Sequence, residues 1–249
     1  MKIVYHPRYE EVYASDPAAK AGRMESILKD ISPQFELVTP EPASTTDIEL
    51  THSKWHIANI ERSPETYELA LLAAGGAIKA AEMAVSREPA FGLIRPPGHH
   101  ASLDHCWGFC FFNNVAISIA KLRQEGIINT AVILDIDLHF GDGTENIFGN
   151  VPEIIYFHPE ARGRQGFVDS ISHFLGDQSA DVVAVSAGFD RHEEDWGGQL
   201  KTEDYLTIGQ IVKEFSERVC QGRRYGVLEG GYNHAVLGRN VRAFVEGLS

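Results

Sequence analysis

Residues 130–143, TAVILDIDLHFGDG, pass from an unbroken apolar run into two aspartates, a histidine and a glycine-rich turn. A short continuous run rich in β-branched residues suits a strand buried on both faces, as in parallel sheets whose crossover helices cover both sides. The polar cluster begins where such a strand ends. In open α/β sheets, that carboxyl edge is where ligands bind, because loops can carry polar groups over a rigid floor. One stretch therefore predicts both the sheet type and the place to look for chemistry.

Outward from it, further apolar or β-branched runs recur: KIVYH, FELVT, FGLIRPP, EIIYFH, DVVAVSAG and YGVLEGG. Segments with apolar residues three and four apart lie between them, at 66–85, 114–125, 203–221 and 234–248. Thr202 before Glu203 and Asp204 predicts a helix start with a capping hydroxyl and acids at the positive end of the dipole. Strands alternating with helices imply parallel pairing through crossovers. The fold class expected is α/β, a three-layer α/β/α sandwich with a mainly parallel central sheet, formed by one domain over residues 1–249 with no internal repeat or linker.

Composition narrows the function. The 249 residues are 43% hydrophobic, enough to bury a full core, and the formal net charge of −13 disfavours nucleic acid and anionic membrane surfaces. Cys106, Cys110 and Cys220 are too few and too irregular for a disulfide framework or a cysteine zinc site, which points to a reducing compartment. The start MKIVYHPRYE lacks the basic and apolar regions of a signal peptide, so a cytoplasmic location is expected.

Four strand ends carry the chemistry: RPPGHH, DIDLHFGDG, SAGFD and EGGYN. In an extended chain Asp135, Asp137 and His139 leave on one face, a spacing that suits chelation of a divalent ion by oxygen and nitrogen donors. The plainer alternative is a helix cap followed by a Gly141-Asp142-Gly143 turn. Asp190, at the tip of its own buried strand, is the further anionic ligand available. His99 and His100 cannot aim at one point from a helix or a strand, but Pro96, Pro97 and Gly98 permit an irregular turn that brings both rings together. A bare His-His is otherwise a pair of loop histidines bonded to carbonyls. Beside a metal, neutral imidazole can take a proton from water and return it to a leaving amine, with Asp135 and Asp142 available behind the rings. Tyr232, after two glycines, could lean a phenol over the cavity toward a developing oxyanion.

In order and combination, RPPGHH, the following Gly-Phe, DxDxH, SAGFD and LEGGY resemble the histone deacetylase family, which includes bacterial acetylpolyamine amidohydrolases and acetoin-utilisation proteins. The likeness runs from about Phe91 to the C-terminus and more loosely through AAKAGRMESIL and THSKWHIANI. It implies the arginase/deacetylase fold and one zinc ion held by Asp137, His139 and Asp190. It also implies tandem proton transfer by His99 and His100 with Asp135 and Asp142 as carboxylate partners, carbonyl polarisation by Tyr232, and Gly108 and Phe109 lining an acyl-lysine channel. Arg23 resembles an internal-cavity arginine. The reaction implied is hydrolysis of an N-acetylated amine, a small acetylated molecule or an acetyl-lysine peptide, by metal-activated water with His100 as general base. Alternatives are hydrolysis of longer acyl amides or esters at the same site, and a non-catalytic module that binds an acylated ligand. The two-manganese arginase group fits less well, since it needs a DxHxD motif. Assembly as a homo-oligomer is left open.

Three departures from the family pattern stand out. Between EIIYFHPE and DVVAVSAGFD, a short ARGRQGFVDSISHFLGDQSA replaces a longer loop that carries the second wall of the channel, so the wall is expected to be missing, with Gly163 and Phe167 as partial substitutes. A structural potassium ion (K+), which relatives hold on backbone oxygens, would here use the carbonyls of Asp135, Asp137 and His139, with Tyr156 at the position of a serine ligand. Phe140 replaces a third histidine. Finally, Glu193, Glu194 and Asp195 form an acidic run that either is solvated or attracts cationic substrates to the mouth.

Overall fold

The computed structural model describes residues 1–31 and 34–249. Seven parallel strands form one sheet in the order β2-β1-β3-β7-β6-β4-β5. They are β1 (Lys2–Val4), β2 (Glu36–Val38), β3 (Ala90–Gly92), β4 (Ala131–Asp135), β5 (Ile154–Phe157), β6 (Val182–Ala187) and β7 (Arg224–Leu228). Each coincides with one of the seven apolar runs, β3 and β7 starting one residue before theirs. Burial follows position: every residue of β3, β7, β6 and β4 is buried, whereas the edge strands β2 and β5 are partly exposed. Central strands covered on both faces carry no alternation, and these sequences show none.

The helices are α1 (Arg23–Ile31), α2 (Thr45–Ile48), α3 (Lys54–Ile60), α4 (Pro64–Val85), α5 (Asn114–Gln124), α6 (Asp142–Phe148), α7 (Arg164–Gly176), α8 (Thr202–Val219) and α9 (His234–Leu248). One row joins α4, α5 and α6, and a second joins α1, α9, α8 and α7; the sheet lies between, completing the expected three layers. Pro64 opens α4, where its missing N–H has no helical partner to lose. Helix α8 begins at Thr202 as expected but is not capped by it. The Asp204 carboxylate instead accepts the Lys201 backbone N–H at 2.8 Å, and the Thr202 hydroxyl donates to Asn240. Among the described residues, no helix is long and apolar enough to cross a membrane.

The four motif-bearing strands, β3, β7, β6 and β4, are consecutive neighbours at the centre of the sheet. Because all run parallel, their carboxyl ends share one edge. Four loops far apart in sequence are thus delivered side by side.

Candidate active site

The loops after these strands surround a cavity of about 290 Å³, lined among others by His99, His100, Phe109, His139, Trp196 and Tyr232. At its base, one atom each from Asp137, His139 and Asp190 lies within 4.8 Å of the other two. His139 Nδ1 sits 3.2 Å from both Asp137 Oδ1 and Asp190 Oδ2. Chain turns fix the carboxylates: Asp137 accepts the backbone N–H groups of His139 at 2.9 Å and Gly230 at 2.8 Å, and Asp190 Oδ1 accepts that of Leu138 at 3.0 Å. Glycine is required around them. A Cβ on Gly188 would lie 2.2 Å from Asp137 Oδ2, and one on Gly230 would lie 2.5 Å from the same oxygen and 2.8 Å from Asp190 Oδ2.

Electrostatics marks this cluster as a cation site. Hydrogen bonds to Asp137 and Asp190 push the His139 imidazole up to about 10. Burial, joined by the charge of Asp137, pushes Asp190 up to about 6. Burial also opposes ionisation of Asp137, but His99 and the hydrogen bonds from His139 and Gly230 outweigh it and hold that carboxyl low. Asp190 Oδ2 is buried and receives no backbone N–H; it faces the His139 imidazole at 3.2 Å. Two buried carboxylates and an imidazole fit a divalent ion of borderline softness such as zinc.

The tandem histidines share this cavity. Their ring centroids are 4.0 Å apart and tilted by 42°. Behind His99, Nδ1 lies 3.0 Å from Asp135 Oδ2; behind His100, Nδ1 lies 2.7 Å from Asp142 Oδ1. The turn is held by Glu229, whose Oε2 accepts the N–H groups of Gly98 at 2.7 Å and His99 at 3.2 Å. Environment splits the pair. Burial disfavours charge on His99, yet Asp135 and Asp137 outweigh it and carry its pKa well above the ordinary value. Burial and the neighbouring His99 draw His100 down to about 4.

Tyr232 lines the cavity near Phe109, with ring centroids 6.3 Å apart, and Gly108 lies against the His100 ring. Burial, together with the charges of Asp137 and Asp190, raises the Tyr232 phenol far above its usual value, so it stays protonated. Arg23 is fully buried beneath, donating Nε to the Gly231 carbonyl at 2.9 Å and Nη2 to that of Glu229 at 2.5 Å.

Two tryptophans that the motifs did not single out complete the walls. Trp107 stacks on His100, centroids 3.9 Å apart, and donates Nε1–H to the second oxygen of Asp142 at 2.8 Å. Trp196 stacks on Tyr232 at 4.1 Å and stands edge-on to His139 at 6.0 Å. The expected gap in the wall is therefore filled from the loop after Asp190. Phe167, a suggested substitute, is fully buried under the Arg191 guanidinium 4.5 Å away, and Gly163 precedes helix α7 without lining the cavity. Two acids of the run have partners: Glu194 pairs with Arg239, and Asp195 Oδ2 accepts the N–H groups of Tyr232 and Asn233, each at 2.8 Å; Glu193 is exposed.

Two of the suggested potassium ligands, the Asp137 carbonyl and the Tyr156 hydroxyl, are already engaged. The Asp137 carbonyl is bonded to Arg191 Nε at 3.0 Å and lies 2.9 Å from His158 Nε2. The Tyr156 hydroxyl donates to Asp135 Oδ2 and accepts the Gly141 N–H. The potassium expectation is accordingly not supported: protein groups already engage two of the four oxygens it would use.

Comparison with known proteins agrees with this arrangement. The histone deacetylase domain matches residues 17–167 and 158–248. A probable deacetylase of Methanothermobacter thermautotrophicus is 30% identical over 306 aligned positions, covering 100% of this chain and 90% of the relative. The acetylpolyamine amidohydrolase of Mycoplana ramosa is 30% identical over 260 positions, covering 88% of this chain and 74% of its own. The crystal structure of the HDA15 HD domain matches 99% of this chain and 88% of its own with a TM-score of 0.85; at 20% identity, that likeness speaks to the fold. The domain match takes in all four strand ends around the cavity, and with a full-length relative at this level of identity, the chain belongs to the histone deacetylase family of deacetylases and amidohydrolases.

Proposed function

We propose that this chain is a zinc-dependent deacetylase that hydrolyses an N-acetylated amine, of acetyl-lysine or acetylpolyamine type, to acetate and free amine. The observation that carries the reading is the convergence of the Asp137, His139 and Asp190 ligand atoms within 4.8 Å at the base of a cavity that also holds both carboxylate-backed histidines and Tyr232. A divalent ion bound there would supply Lewis acidity, polarising an amide carbonyl and acidifying water.

The chain's own residues do the rest. With Nδ1 directed to Asp142, His100 presents Nε2 to the cavity, and its lowered pKa keeps it neutral at pH 7 and ready to take the proton of an attacking water. His99, held charged by Asp135 and Asp137, supplies positive charge beside the forming tetrahedral centre. The protonated phenol of Tyr232 donates to the oxyanion. As the C–N bond breaks, the proton held by the histidine pair passes to the departing nitrogen, so that amide plus water gives acetate plus amine. Phe109, Trp107 and Trp196 form apolar walls that suit a methylene chain leading to the amide. The free thiols of Cys106, Cys110 and Cys220 fit a cytoplasmic enzyme.

Metal content and turnover of an acetyl-lysine peptide, an acetylpolyamine, a longer acyl amide and an ester should be measured on one preparation. Removing the metal with a chelator should abolish turnover and added zinc should restore it. His100→Ala should stop turnover with zinc retained. Turnover that survives complete metal removal would refute the proposal.

A further inference from the structure

Arg191 follows Asp190 directly and is 6% exposed. A buried guanidinium ordinarily faces a carboxylate, which repays part of its desolvation. This one is directed elsewhere. Its Nε donates to the Asp137 carbonyl at 3.0 Å, and its Nη2 points to the carbonyls of Leu138 at 3.4 Å and Pro159 at 3.3 Å and lies 3.0 Å from His158 Nε2. Nη1 donates to the Gln199 side-chain oxygen at 3.1 Å, and the Phe167 ring stacks 4.5 Å from the guanidinium carbon. The Arg191 carbonyl in turn accepts the N–H groups of Gln199 and Leu200, which fixes the loop at both ends.

Ringing a positive charge with carbonyl oxygens is what a protein does for a bound cation. Here the cation is covalently part of the chain.

We propose that Arg191 is a built-in cation beneath the candidate metal site, positioning the Asp137–Leu138 turn through its carbonyls so that the site recruits no monovalent metal ion. The proposal rests on the zinc reading above and adds to it a positioning residue that touches neither substrate nor the reacting atoms.

The test is zinc affinity, measured by chelator competition on the full-length protein. Outer residues that orient ligands typically contribute about 10- to 100-fold in metal affinity, and Arg191→Met should weaken zinc binding by about that factor. Arg191→Lys, which keeps the charge but not the planar fork, should fall between, and methylguanidinium should partly restore zinc binding to the truncated variant Arg191→Ala. A residue that merely stabilises the fold would lower the melting temperature of the metal-free protein and leave the zinc Kd of the folded fraction unchanged. In the unaltered protein, zinc Kd should agree within about twofold in potassium, sodium and tetramethylammonium chloride at one ionic strength, since the position that a monovalent ion would take is filled. Parental zinc affinity in Arg191→Met, or clear tightening of the unaltered protein's affinity by potassium, would overturn the proposal. Should Arg191→Met not fold, Arg191→Lys and the salt series decide. Absence of zinc binding by the unaltered protein would instead sink the zinc reading itself, which keeps the two failures distinct.

Discussion

Asp142→Asn isolates the proton-transfer arrangement with a change of one atom. The carboxylate serves two donors, His100 Nδ1 at 2.7 Å and Trp107 Nε1 at 2.8 Å, one on each oxygen. An amide has one oxygen, so either His100 or Trp107 must face an NH2 group, donor against donor. If His100 loses, Nδ1–H is no longer held and Nε2 is no longer reliably the free base. Hydrogen bonds to charged groups contribute about 1.5–3 kcal/mol; the Asp142 side chain is 39% exposed, so water competes and the lower half of that range applies. A loss of about 1.5–2 kcal/mol corresponds to kcat reduced about 10- to 30-fold. KM and zinc content should hold, because Asp142 lies outside the metal ligands. The pH profile supplies an independent sign. Asp142 raises the pKa of His100 against the stronger pull of burial and His99, so losing its charge drops that pKa further. With neutral His100 as the proposed base, the acid limb of kcat/KM should move to lower pH. Steady-state kinetics across pH, with metal content measured on the same samples, gives both readings. A kcat within twofold of the parent, with an unmoved acid limb, would refute the assignment of His100 as the base.

Trp196→Ala should remove the stack on Tyr232 and open one side of the cavity. Aromatic pairs contribute about 0.5–1.5 kcal/mol, so kcat/KM for an acetyl substrate should fall about 2- to 10-fold while longer acyl substrates gain relative to it; an unchanged acyl preference would count against Trp196 as a wall. Gly188→Ala should abolish zinc binding, since the new Cβ would meet Asp137 Cα at 2.4 Å, backbone that cannot swing aside. Gly166→Ala, whose Cβ meets nothing nearer than 4.0 Å, is its control; equal zinc titrations for both would be the contrary result. Burial pushes Glu229 from its ordinary 4.5 up to about 7. The folded state therefore binds that proton more tightly, and the associated stability is present below pH 4.5 and lost as pH rises through about 7. Glu229→Gln keeps an acceptor oxygen for Gly98 and His99 and should flatten this slope, on the order of 3 kcal/mol, in denaturant titrations between those limits; a parental slope would locate the titration elsewhere.

The sheet was legible because it is built from local signals. Each of the seven strands coincides with an apolar run to within a residue, and the unbroken run at 130–135 proved to be a central strand. Long amphipathic helices such as α4 and α9 declared themselves by period. Helix α7 did not, although its buried Phe167, Val168, Ile171 and Leu175 carry helical spacing. Its segment was read as a shortened channel loop, and attention to what the loop lacked hid the period it had. Thr202 shows the opposite error, a good capping residue one position too late, displaced because the Asp204 carboxylate reaches back to Lys201.

Within the site, the split has a physical cause. Asp137, His139, Asp190 and the tandem histidines sit immediately after strands, so knowing the sheet order is nearly enough to place them. Trp107 and Trp196 lie six or seven residues farther along their loops, where no period constrains direction. What aims Trp196 is a tether visible only in three dimensions: Asp195 accepts two N–H groups from the Tyr232 loop, and the Gly197 N–H bonds back to the Asp190 carbonyl at 2.7 Å. Asp195, one of the three acids that charge patterning offered as a lure for substrate, is thus also a clamp that sets an aromatic wall beside the phenol. It follows that reactivity and selectivity reside in different parts of this chain. Exchanging residues at the strand ends should alter whether amides are cleaved, whereas exchanging loop residues 193–198 should alter which ones are, with the metal ligands left in place.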